Sequence, residues 1–130
     1  TAVISAVGLG KLLGASNLSL LSLAPKSVTT PIAMGIAEKI GGQPSLTAVL
    51  VILTGIIGAV GGEAILDLLH INDPAVRGFA IGVASHGIGT ARAFQMDEET
   101  GAFAGLGMGL NGILTAIVIP VLVDLLNLVP

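Results

Sequence analysis

Two short clusters hold most of the groups able to do chemistry in this 130-residue chain. The first is Lys26, Ser27, Thr29 and Thr30. The second is Ser85, His86, Gly87, Gly89, Thr90 and Arg92. Cationic donors beside hydroxyls bind anions, and Arg clasps a carboxylate with two parallel hydrogen bonds. Gly87 and Gly89 let backbone approach a ligand closely. The inventory suits a small carboxylate bearing a hydroxyl or keto group. It does not suit catalysis. No Ser-His-acid arrangement stands out, and two His without a tight carboxylate cluster make no metal site. The absence of Cys removes disulfides and thiolate chemistry. We therefore read the chain as a non-enzyme with no cofactor.

Each of these residues also has a plainer reading. Lys26 and Arg92 are able to snorkel to an interface. His86 and Asn111 serve equally well as hydrogen-bonding links between helices, although Asn111 could face the site. Thr29 and Thr30 fit helix caps. Glu63 is a candidate proton-coupling carboxylate if buried, because an intramembrane acid is functional by default. Interfacial exposure of the Glu63 and Asp67 pair is the competing reading. Asp97, Glu98 and Glu99 read as a solvated loop. The glycine run from Gly105 to Gly112 reads as close helix packing. With no strand beside it, it does not read as a nucleotide loop.

The surroundings of the clusters decide their context. The chain is 53% hydrophobic and 10% charged, with mean hydropathy +1.00. A soluble domain carries about 25% charged residues. Lys and Arg number 5 against 8 acids, so no basic patch exists for nucleic acid. What remains is an all-α, polytopic membrane domain in contact with a lipid bilayer. Leu46–Leu69 and Gly101–Val123 are continuous apolar runs, long enough at about 20 residues to span a bilayer. They do not alternate as barrel strands would. Thr1–Gly14 reads as the end of a further helix, and the start at Thr1 reads as that of a fragment.

The clusters interrupt two other apolar stretches. Asn17–Gly42 breaks at Pro25 and restarts at Pro31, with Thr30 predicted as N-cap and Pro31 as the first helical residue. Residues 74–97 break between 85 and 90, with Thr90 predicted to cap a helix from Ala91. Each limb of roughly seven to eleven residues reaches only about the midplane. Irregular backbone there is tolerated inside protein or beside water. Both breaks therefore read as midplane segments leading into helix N-termini, which attract anions.

The stretches match at an offset of 60. Ala24, Thr30, Ala33, Glu38, Gly41, Leu46, Leu50 and Ile57 recur as Ala84, Thr90, Ala93, Glu98, Gly101, Leu106, Leu110 and Ile117. These eight identities exceed the about three that composition alone gives. Repeat units of about 17–70 and 74–127 follow. Paired interrupted segments are the sequence pointer to a transporter's site. Re-entrant hairpins would make the repeats inverted; broken spanning helices would make them parallel. Counting basic residues leaves both open. Inversion is the favoured form.

The motifs PKSVTTPIA (residues 25–33) and ASHGIGTAR (84–92) together resemble the LrgB/CidB (YohK) membrane family, over essentially the whole chain. The resemblance implies a multi-pass protein of the bacterial inner membrane, of which this would be the C-terminal part. It implies a small holin-like partner of the LrgA/CidA type. Members are described as holin-like or antiholin-like regulators of murein hydrolase export and cell lysis. A related plastid protein is a glycolate/glycerate translocator, and some bacterial members are linked to pyruvate transport. The expected function is a transporter of small 2-hydroxy or 2-keto monocarboxylates working by alternating access. The alternative is a holin-like or antiholin-like protein acting through oligomerisation. In either form a homo-oligomer is expected.

Overall fold

A computed structural model describes residues 2–125. Six helices follow one another, and no strand occurs among the described residues. α1 is Ala2–Leu12, α2 Asn17–Leu23, α3 Thr30–Lys39, α4 Pro44–Leu68, α5 Pro74–Met96 and α6 Glu98–Leu125. Local chemistry sets most of these ends. The Ser16 hydroxyl caps α2 by accepting from the Ser19 N–H at 3.3 Å. Asp73 caps α5 from the residue before Pro74, whose missing N–H is harmless there. α3 stops at Gly41, where φ is 82° and the Gly42 N–H reaches back to the Ala37 carbonyl at 2.7 Å. This is the left-handed ending that glycine favours. α4 ends the same way on a histidine, His70, with φ 56°.

The two apolar runs became α4, which starts two residues earlier and stops one residue short, and α6, which extends beyond its run at both ends. Among the described residues these two helices are long and apolar enough to cross a membrane. Three boundaries need correction. Thr29, not Thr30, is the N-cap of α3; Thr30 is its first residue and Pro31 its second. Thr29 makes no side-chain capping bond, so fixed proline geometry sets this start more than a cap does. The second interruption is a single residue, His86, not residues 85–90, and helix resumes before Thr90. Asp97 to Glu99 do not form a loop. Asp97 caps α6, and Glu98 and Glu99 form its acidic first turn.

The chain divides into two compact units. One holds described residues 2–51 and 113–125; the other is Ile52–Gly112. The second predicted repeat unit ends at 127, so its last two residues lie outside the described residues. In the first unit, Leu20, Val28, Ala33, Ile36, Val51 and Ile119 form the core. Here the chain folds back on itself. After α2, the break and α3, Gly42 lies against the backbone of Leu21 and Ser22. Three hydrogen bonds gather on Ser22. Its hydroxyl donates to the Leu18 carbonyl and accepts the Gln43 N–H, and its carbonyl accepts the Thr47 hydroxyl. A broken helix that simply carried on would leave Gly42 more than two helical turns away.

In the second unit, α5 also reverses. Its residues 74–85 run alongside the start of α6. A Cβ on Gly78 or Gly82 would collide with the carbonyls of Thr100 and Ala104, so only glycine permits this approach. Its residues 87–96 run the opposite way along α6, with Phe94 against Gly101 and Thr90 near Met108. α5 is therefore a helical hairpin turning at His86. In the first unit Ser22 meets Gln43 and Thr47, and in the second Gly82 meets Ala104.

Candidate functional site

The break in the first unit is Ala24–Thr29. Consecutive turns shape it, with the Lys26 N–H bonded to the Leu23 carbonyl at 3.2 Å and the Val28 N–H to the Pro25 carbonyl at 3.4 Å. Pro25 and Val28 are buried and tie the break to the core. Lys26, Ser27 and Thr29 lie in this loop and Thr30 opens α3, all half-buried.

In the second unit the hairpin tip lies against the middle of α4. The His86 imidazole packs on Gly55 and the Ser85 hydroxyl on Gly58, residues twelve and fifteen of the 25 in α4. Sequence reasoning missed these two glycines. Their signal was the Gly55-x-x-Gly58 spacing, which puts two bare Cα positions on one face. His86 is 3% exposed and has φ 42° and ψ −133°. A residue with a Cβ is strained there by about 1–3 kcal/mol, and such strain collects at functional sites. The glycines predicted to supply backbone freedom do something else. Gly87 and Gly89 keep helical backbone, and Gly89 packs tightly on Ser85 and Ile81 of the opposing limb.

The remaining candidates divide. Ser85 is fully buried, and among the described residues its Oγ is the buried side-chain polar atom without a hydrogen-bond partner. Such an orphan hydroxyl is destabilising by about 1–3 kcal/mol until something fills its bond. The Thr90 hydroxyl is occupied, donating to the His86 carbonyl at 2.8 Å. It braces the turn rather than capping a helix. Asn111 donates to the Val83 carbonyl at 3.3 Å, an interhelical link. Arg92 lies six residues beyond the tip and pairs with Glu63 at 3.0 Å. Arg77 pairs with Asp67 at 2.7 Å and also donates to the Ile71 carbonyl. Glu63 and Asp67, one turn apart on α4, thus hold one limb of the hairpin each. Arg92 and Glu63 side chains are 46% and 35% exposed, so in water this pair contributes about 0–1 kcal/mol.

Beneath the tip, between α4 and the first limb, runs a groove of about 300 Å³. Ile57, Ile65, Leu66, Ala80 and Ile81 line it, and Ser85 closes one end.

The profile of the LrgB-like family matches residues 1–125. The chain is 39% identical over 123 residues to YwbG of Bacillus subtilis (strain 168), covering 95% of this chain and 55% of that protein. It is 34% identical over 113 residues to the holin-like protein CidB of Staphylococcus aureus (strain Mu50), covering 87% and 49%. YxaC of Bacillus subtilis (strain 168) is 38% identical over 109 residues, covering 84% and 47%. The chain thus spans about half the length of these curated relatives. No solved structure matches it.

Proposed function

This chain belongs to the LrgB-like family, and from that premise we propose that it is a membrane protein carrying small 2-hydroxy or 2-keto monocarboxylates by alternating access. The observation that carries the reading is the hairpin tip. A strained, buried histidine and a partnerless buried serine lie at mid-length of a 25-residue apolar helix. The Ser85 hydroxyl, buried at that depth, needs a partner, and a passing substrate supplies one. Ser85 donates to the keto or hydroxyl oxygen, and His86 with the helix N-terminus after it receives the carboxylate. Gly87 and Gly89 shape that terminus. Lys26, Ser27, Thr29 and Thr30 form the corresponding element of the first unit.

Arg92 enters as an exchangeable cation. It releases Glu63 when substrate is present, and Glu63 is then free to take a proton. The eight sequence identities at an offset of 60 support a repeat, which we read as inverted. Apolar side chains such as Ile56, Val60 and Ile117 face outward and suit lipid. We place the protein in the bacterial inner membrane as a multi-pass oligomer.

The test is uptake of labelled glycolate and pyruvate into proteoliposomes. Saturable uptake that Ser85→Ala reduces about tenfold supports the reading. No uptake above protein-free vesicles overturns it. A second reading rests on the names of the CidB relatives. In it the protein acts in holin-like assemblies with a small LrgA/CidA-type partner, and leakage of a trapped dye, without substrate saturation, identifies it.

A further inference from the structure

We propose that the groove under the α5 hairpin is the seat for a substrate's alkyl chain, so that the protein takes 2-oxo and 2-hydroxy acids of four to eight carbons in preference to two- and three-carbon ones. The inference rests on the monocarboxylate reading above. Ser85 belongs to both parts. It stands at the hairpin tip beside His86, and it is the one hydroxyl in a groove otherwise lined by aliphatic side chains and glycine. No charged residue lines the groove, so it offers nothing to a carboxylate. It offers an apolar channel of about 300 Å³ leading away from the group that would hold the polar head.

Direction and length agree with an alkyl tail. Ser85 meets α4 at Gly58, and the far wall is Leu66, eight residues on. At 1.5 Å per residue the groove is about 12 Å long, the reach of an extended chain of roughly eight carbons. Its floor is kept open by Gly61, where a side chain would meet nothing within 4 Å. A two-carbon acid held at Ser85 would leave this space unfilled. A longer acid would fill it and satisfy the orphan hydroxyl together.

Calorimetric titration of the purified protein with pyruvate, 2-oxobutanoate, 2-oxohexanoate and 2-oxooctanoate tests this. Each added methylene is expected to tighten binding about fourfold until the groove is full. Gly61→Leu places a side chain in the channel and is expected to flatten the series. Where that variant is not recovered folded, Ile65→Ser, at a largely exposed wall position, is expected to reduce the slope. Pyruvate binding with a flat or falling series in the wild type overturns the groove inference and leaves the transport reading intact. An unchanged slope in the folded variants does the same. Failure of every member to bind overturns both.

Discussion

His86 carries backbone and side-chain consequences that substitution separates. Its φ of 42° penalises any residue with a Cβ, while its imidazole fills the space above Gly55. Ala loses the ring and keeps the strain; Gly loses the ring and relieves it. His86→Gly is therefore expected to be more stable than His86→Ala by at least about 1 kcal/mol. Reversible unfolding in mixed detergent measures the difference, and equal stabilities would contradict the strained turn. The sequence points to a polar interruption here but not to the residue that reverses. Gly87 next door satisfies the same local preference, and tertiary packing of the ring against α4 selects His86. Asp97 gives a pH-dependent counterpart. The Thr100 hydroxyl, and then the Thr100 N–H, hold its carboxyl below the ordinary value. Its folded pKa is depressed, so its stabilisation is complete above the ordinary value of about 3.9 and is lost as pH falls through the lowered one. Asp97→Asn is expected to flatten the acid limb of the stability curve below about pH 4 while lowering stability at neutral pH. Circular dichroism across an acid titration reads both.

At the scale of elements, helix contacts are made where side chains are missing. Gly78 and Gly82 let α5 run backbone to backbone along α6, and Gly55 and Gly58 make room on α4 for the His86 and Ser85 side chains of the hairpin tip. Overpacking at such a contact typically destabilises by about 1–3 kcal/mol, and here the obstacle is carbonyl backbone that cannot turn aside. Gly82→Val is expected to destabilise by about 3 kcal/mol or more. Gly105→Val, on the same helix pair but facing open space, is expected to stay within about 1 kcal/mol. Similar losses for both would show that helix propensity, not close approach, sets the effect. The long helices were legible because apolar runs of that length have few other uses. The hairpin inside α5 was legible only as an interruption. The direction in which the second limb leaves depends on one pair of dihedral angles, and composition carries no trace of it. For Arg92 the cost of a buried charge makes the substrate or Glu63 the expected partner if it lies at midplane depth, and the structure pairs it with Glu63, 29 residues away.

For the whole molecule the fold-back in each unit has a consequence for sidedness. If α2, the break and α3 form a re-entrant excursion, Asn17 and Gln43 lie on one side of the membrane. If α5 reverses at His86, Asp73 and Glu98 share a side too. If α4, about 37 Å long, crosses the bilayer, the first pair and the second lie on opposite sides. Single cysteines at these four exposed positions are expected to label with an impermeant reagent from one side for 17 and 43 and from the other for 73 and 98. Labelling of 17 and 43 from opposite sides would exclude the hairpin. The sequence left this choice open because three basic residues near the ends divide two to one under either topology. Ser22 and its three bonds favour the fold-back, and no propensity scale anticipates them.

That knot on Ser22 also bears on how the chain is made. All of its partners, from Leu18 to Thr47, fall within a stretch of thirty residues. A ribosome that has released Thr47 has delivered every partner of Ser22, while Val51 and Ile119 of the same core follow later. The first turns of α4 therefore act as the clasp of the preceding hairpin.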